Sequence, residues 1–140
     1  MKRGMMIMLL TTMALSFNSC NKNLDKVLFG TWSVTHVQGV LHSNGVPFFT
    51  VEDANPTGFV RFDNSGTGEQ NYSYTLNGTV YPQQSNFTWE ADEDEIIIVR
   101  SGESDLIWER TTDTETKQVA TYRVIVDATS YWNYTLTLEK

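Results

Sequence analysis

Ala120-Thr121-Tyr122-Arg123-Val124-Ile125-Val126 and Trp132-Asn133-Tyr134-Thr135-Leu136-Thr137-Leu138 are the stretches whose reading decides the fold. Ala120, Tyr122, Val124 and Val126 alternate with their neighbours in the first, as Trp132, Tyr134, Leu136 and Leu138 do in the second. A period of two puts each set on one face of an extended chain. Asp127-Ala128-Thr129-Ser130 between them is made of turn formers, so the two runs predict an antiparallel pair.

The same texture extends back towards the amino terminus. Short runs rich in Val, Ile, Thr, Tyr, Phe and Trp alternate with turn residues, and no window carries a long 3.6-residue period. Asn44-Gly45 and Asn77-Gly78 each sit between apolar runs, where both residues tolerate the positive φ of a tight hairpin turn. Tyr72, Tyr74 and Leu76 share one face of the run before the second turn. Phe87, Trp89 and Ala91 do the same further on, and Pro82 between these runs predicts a bulge or a bent edge. Pro47 predicts an edge or rim position for its own arm. Residues 96–99 are apolar on both faces, as expected of a well-covered strand. Eight or nine strands joined by short turns predict an all-β antiparallel up-and-down barrel, because closure removes the exposed edges of a long meander.

At the start of the first strand stands Leu28-Phe29-Gly30-Thr31-Trp32-Ser33-Val34. Gly30 lets the backbone turn into the strand, and Trp32 brings one of the largest apolar surfaces a residue can bury, so the two are assigned to barrel closure. Leu24, Val27 and Leu28 are spaced i, i+3, i+4, which predicts a short helical turn ahead of the strand.

The 140 residues suffice for one domain with its own core. Residues 1–19 are set apart: a basic head, Met1-Lys2-Arg3, precedes an apolar run too short to span a bilayer, the pattern of an export signal. All five methionines lie in it. The sole cysteine, Cys20, closes the segment, so no intramolecular disulfide is available and an exported domain has to hold by packing. Loss of residues 1–19, which contain Lys2 and Arg3 and no acid, takes the formal charge from −7 to −9. So acidic a chain repels nucleic acid and anionic head groups.

Leu15-Ser16-Phe17-Asn18-Ser19-Cys20 resembles the lipobox of bacterial lipoproteins, in which the cysteine is acylated and becomes the new amino terminus. Further on, Leu28-x-Gly30-x-Trp32, the Phe62-x-x-x-Gly66-x-Gly68 hairpin and Phe87-x-Trp89-x-x-Asp92, in that order and followed by an alternating terminal strand, resemble a lipocalin-like domain of bacterial lipoproteins. The resemblance implies a signal peptide over residues 1–19, a lipidated tether over 20–23 and a lipocalin-like barrel over 24–140. It implies attachment through acyl chains on Cys20 at the cell envelope, at the outer membrane. Gly30 and Trp32 carry over from the lipocalin signature, whereas its Thr-Asp-Tyr loop motif and its arginine after the last strand have no counterpart in this chain, which ends at Lys140.

Candidate chemistry is sparse. Glu90, Asp92, Glu93, Asp94 and Glu95 lack the glycine and distal glutamate of a calcium loop and read as a solvated turn. His36 and His42 make a poor metal site without a third ligand, and no nucleophile elbow or phosphate loop is present. No metal, cofactor or catalytic residue is assigned. The four Asn-x-Ser/Thr triplets, headed by Asn71, Asn77, Asn86 and Asn133, are attributed to chance. Two functions from different classes are in view. One is a non-enzymatic, membrane-anchored structural or protein-interaction module whose lumen is filled by its own rings. The alternative is a carrier holding a small hydrophobic ligand in a calyx lined by Trp89, Trp108, Tyr122, Trp132 and Tyr134. The number of large rings assigned inward favours the filled barrel, since ligand pockets are generally about 300–1,000 Å³.

Overall fold

The structure, a computed structural model, describes residues 24–140. Residues 1–19, Cys20 and the tether lie outside the described residues. After one 3-10 turn, Lys26–Leu28, come nine antiparallel strands: β1 (Gly30–Ser43), β2 (Val46–Asp53), β3 (Thr57–Phe62), β4 (Thr67–Leu76), β5 (Thr79–Ala91), β6 (Glu95–Val99), β7 (Leu106–Asp113), β8 (Lys117–Ile125) and β9 (Ser130–Glu139). They form one sheet, ordered β2-β1-β3-β4-β5-β6-β7-β8-β9, and β1 also pairs with β9. The ring from β1 through β3 to β9 is therefore a closed barrel of eight strands, with β2 as a further strand on the edge of β1.

The long first strand makes closure possible. One edge runs along β9 from Ser33↔Glu139 to Ser43↔Ser130. Its other edge is shared, Gly30–Ser33 pairing with β3 and Val37–Ser43 with β2. In effect β2 and β3 form one arm broken at residues 54–56. Where β2 leaves the ladder, the Asp53 carboxylate accepts the Thr75 amide of β4 at 2.7 Å, a side-chain bond in place of a backbone one.

The expected turns are present. Asn44 and Gly45 have φ of 51° and 79°, Asn77 and Gly78 of 50° and 79°, the paired positive values that a two-residue hairpin of matching twist requires. The terminal pair is in register with Tyr122 opposite Tyr134. Pro82, however, makes no bulge: it faces Ser73 in an unshifted ladder. β6 pairs only with Thr88–Ala91, so β5 has an open edge at Pro82, where a missing donor disturbs least. Register shifts fall instead at Val34/His36, Leu41/His42 and Arg110/Thr112.

In an up-and-down barrel the turns collect at two ends. The turns at 63–66, 92–94 and 114–116 share one end with the 3-10 turn and Lys140; those at 44–45, 77–78, 100–105 and 126–129 share the other. At the first end Leu28, Trp32, Phe62, Trp89 and Leu138 are fully or almost fully buried and form a floor. The Trp32 indole donates to the Leu28 carbonyl at 2.7 Å, which ties the 3-10 turn under the barrel. A buried cation adds to this: the Arg110 guanidinium, with its side chain 1% exposed, meets Asp25 at 2.6 Å, Asp113, and the Gln118 amide oxygen at 3.0 Å. Asp25 in turn caps the 3-10 turn by accepting the Val27 amide at 3.0 Å. Polar groups thus pin the residues before β1 to β7 and β8, where burial leaves no water to compete.

Candidate functional site

The lumen above the floor is built from the inward faces of β4, β5, β7, β8 and β9. On β4 the inward set is Gly68, Gln70, Tyr72, Tyr74 and Leu76, all buried. Tyr72 stacks near Tyr74 at 6.2 Å, Tyr74 against Tyr81 at 5.4 Å, and Tyr122 against Tyr134 at 5.3 Å. Trp108 stacks on Tyr122 from below at 5.9 Å, and Trp132 on Tyr134 at 5.8 Å. The result is a column of rings leading from mid-barrel to the mouth. Gly39 of β1 admits it: a Cβ there would lie 3.1 Å from the Tyr134 ring and 3.2 Å from that of Trp132, tighter than ordinary packing.

Of the residues assigned to the calyx by sequence, four are in this column. Trp108 and Tyr122 lie in mid-lumen, and Tyr134 and Trp132 lie at the mouth. Trp89 is placed differently, in the floor. It packs edge-on against Phe62 at 5.1 Å and Phe29 at 6.0 Å, and its indole donates to the Thr67 carbonyl at 3.0 Å. Inward alternation selected it correctly as a core residue, but the barrel level of each inward residue depends on register and stagger, which alternation does not carry. Gly30 enters β1 at φ 113°, in the region glycine alone adopts easily, and Trp32 is wholly buried.

A gap interrupts the wall near the open end. Between β2 and β4, Phe49, Val51, Leu76, Tyr81, Trp132 and Tyr134 line a pocket of about 230 Å³. A separate, open cleft of about 600 Å³ lies on the outer face of β3 to β6 beside the floor-end turn at 63–66, bordered by Arg61, Asp63, Thr67, Asn86, Thr88 and Val99 among others. Exposed apolar residues stand near the polar turns of the rim. Phe48, Val80, Ile107, Ile125 and Val126 are each more than half exposed, and each flanks one of the open-end turns.

Burial acts on the tyrosines as a group. Desolvation, followed by the nearness of other phenols, pushes Tyr72, Tyr74 and Tyr122 well above the ordinary tyrosine value, and Tyr134 rises for the same first reason. The Arg100 charge works against this rise at both Tyr72 and Tyr122. These phenols are therefore neutral donors at physiological pH.

The remaining candidates resolve into local structure. His36 Nε2 lies 3.4 Å from a Glu52 carboxylate oxygen, while His42 stacks on Tyr131 at 4.7 Å, so the two histidines have separate partners. Asp92 accepts the amides of Asp94 and Glu95, both at 2.9 Å, and those backbone bonds hold its carboxyl below the ordinary range. Sequence reasoning missed Gln70, Ser85 and Arg100, which face the lumen side of the site; a polar residue in an otherwise apolar alternation, as at Gln70, was the available signal.

The meander, its closure by β1 and β9, and the Gly30-x-Trp32 floor define the architecture. The fold is lipocalin-like. No family model matches the chain, and no curated protein matches it. Among solved structures it is similar to bovine odorant-binding protein (deswapped triple mutant; 18% identity, 81% of this chain and 74% of that one, TM-score 0.47). It is similar also to the siderocalin Ex-FABP (15% identity, 81% and 74%, TM-score 0.46) and to hamster aphrodisin (14%, 81% and 74%, TM-score 0.44). The lipocalin-like barrel thus rests on its own strand pairing, with its floor at the end where the chain enters and its aromatic column rising to the opposite mouth.

Proposed function

We propose that the protein is a non-enzymatic binding protein that takes one small, largely apolar ligand through the mouth of the barrel. The observation that carries this reading is the wall gap at the mouth, beside the aromatic column. At about 230 Å³ it lies just under the usual size of small-molecule sites, and it is walled mainly by aromatic and aliphatic side chains. Ring count alone favours a filled lumen. Rings stacked in a column beside a wall gap, however, present faces and edges to a ligand, as apolar pockets do. The exposed apolar rim supports the same reading, since it offers a first contact for a poorly soluble ligand.

Attachment is part of the proposal. Cys20, acylated, anchors the chain in the envelope membrane, at the outer membrane. The described chain begins at Leu24, ahead of the 3-10 turn at the floor end, opposite the mouth.

Two experiments test these statements. The uncharged probe N-phenyl-1-naphthylamine, titrated into the protein, gives saturable fluorescence with one site, and tryptophan emission is quenched in parallel; a purely linear rise removes the carrier reading in favour of an interaction module. Fractionation of cells expressing Cys20→Ser moves the protein from the membrane to the soluble fraction. Unchanged membrane retention and gel mobility remove the anchor.

A further inference from the structure

β7 and β8 are neighbours, yet they pair over only part of their length. Their ladder runs from Asp113↔Gln118 to Glu109↔Thr121 and stops there, short of the mouth. Residues 106–108 pair with β6 alone, and residues 122–125 with β9 alone. Between the parted strands lies a groove of about 380 Å³, lined by Asp105, Leu106, Ile107, Tyr122, Arg123 and Ile125 among others.

Two backbone bonds fix which groups point into it. The Arg110 amide donates to the Asp94 carbonyl at 2.7 Å, so even-numbered residues of β7 turn their polar groups to β6 and odd-numbered ones to β8. The Val126 amide donates to the Ser130 carbonyl at 3.0 Å, which in the same way assigns even-numbered residues of β8 to β9 and odd-numbered ones to β7. Ile107, Arg123 and Ile125 therefore present N–H and C=O groups to the groove in the two-residue rhythm of a strand edge, with no backbone partner among the described residues.

Two other open edges of the sheet are guarded by proline, which blunts pairing with another chain. On β5 the Trp89 amide donates to Gly66 and the Asp92 amide to Glu95, so even-numbered residues face the open edge, and Pro82 removes a donor from it. β2 carries Pro47. Residues 106–108 and 122–125 hold no proline. Their one cation, Arg123, lies over the Tyr131 ring at 4.1 Å and is drawn towards β9. Ile107 and Ile125, on the same edges, are each more than half exposed.

Only another main chain repeats donors and acceptors at the spacing of such an edge. Side chains then select which. Leu106 and Tyr122 belong to the lumen-side set of their strands, while Asp105 and Glu109 stand two positions to either side of outward-facing Ile107. Neither acid has an ion-pair partner among the described residues. An added strand thus meets apolar groups on its inner face and free carboxylates on its outer one.

We propose that this groove receives an extended segment of a partner protein, in which apolar residues alternate with basic ones, added as a strand to the edge of β8. The apolar side chains turn in towards Leu106 and Tyr122, and the basic ones turn out towards Asp105 and Glu109. The site lies apart from the mouth pocket and does not rest on a ligand in the lumen.

The test uses the full chain in phosphatidylcholine nanodiscs, with empty nanodiscs as reference, and reads backbone hydrogen exchange from 1H–15N spectra. In the free protein the amides of Ile107, Arg123 and Ile125 should exchange faster than those of Tyr122 and Val124, which bond to β9. The probe is acetyl-Lys-Val-Lys-Val-Lys-Val-amide, compared with a peptide carrying Glu for Lys and with two N-methylated versions, one at the lysines and one at the valines. Expected is saturable protection of the three amides by the probe, with affinity about tenfold or more lower for the Glu peptide and for at least one N-methylated version. Asp105→Asn combined with Glu109→Gln should abolish the preference for Lys over Glu. Slow exchange of the three amides in the free protein overturns the open edge, and if that protection fades on dilution the groove belongs to a second copy. Absence of saturable protection, protection at β2 or β5 instead, or undiminished binding of both N-methylated versions overturns the site. Equal affinities for the Lys and Glu peptides overturn the partner's chemistry, and this comparison on the unsubstituted chain decides the matter should the double variant fail to fold.

Discussion

The ammonium of Lys140 stands 4.3 Å from the centre of the Trp32 ring and donates to the carbonyls of Val27 and Phe29 at 3.1 and 2.8 Å. The last residue of the chain thus locks the residues before β1 and the tryptophan of the floor at once.

Lys140→Met removes the cation–π contact and two charge-assisted bonds while keeping the apolar stem. A loss of about 1–2 kcal/mol is expected, with Lys140→Arg retaining most of the stability. Trp32→Ala removes the floor itself and should cost about 3–5 kcal/mol. Denaturant midpoints with unchanged slopes measure both. A midpoint for Trp32→Ala within error of the parent would contradict its burial.

Asp25→Ala leaves Arg110 with Asp113 and Gln118 but frees the 3-10 turn. Stability should fall by about 1–3 kcal/mol. Amide exchange should accelerate first at Val27 and Leu28, whose N–H groups bond to the Asp25 side chain and carbonyl respectively. Exchange that quickens uniformly through the barrel would show that Asp25 acts globally instead.

Stability should fall on the alkaline side. Tyr72, Tyr74 and Tyr122 have folded-state values raised above the ordinary 10.0, by burial first. The contribution of such groups is intact below the unfolded value and is lost as pH rises beyond it, because the unfolded chain ionises while the folded one does not. Urea midpoints should therefore drop above pH about 10. Phenolate absorbance of these rings should appear together with unfolding, and a separate earlier titration of all the tyrosines would contradict the buried column. On the acid side Asp92 and Asp127 are lowered by backbone hydrogen bonds, so their contribution is present above the ordinary 3.8 and fades below it.

Gly39→Ala puts a methyl against the rings of Tyr134 and Trp132. The strand itself tolerates alanine, so the column must move. The expected result is a changed near-ultraviolet circular dichroism spectrum and weaker binding of the naphthylamine probe, with a loss of about 1–3 kcal/mol from overpacking. Identical spectra would mean that the mouth rings are free to shift.

Much of this molecule was legible in the chain. Alternation in residues 120–138, Asn-Gly at 44–45 and 77–78, and Gly30 with Trp32 are local signals, because a side chain's face and a turn's φ depend on near neighbours. They determined an all-β meander and its floor. Levels within the barrel were not legible. Trp89 and Trp108 alternate inward alike, yet one is a satisfied floor residue and the other a mid-lumen donor, since register and strand stagger are set by pairing between distant segments. Pro82 carries the same lesson, its ladder being unbroken because β6 is too short to reach it. The polar atoms of Gln70, Ser85, Arg100 and Trp108 that are unpaired among the described residues were hidden for the same reason, since they come from four successive segments whose facing and level are set by the pairing of β4 through β7.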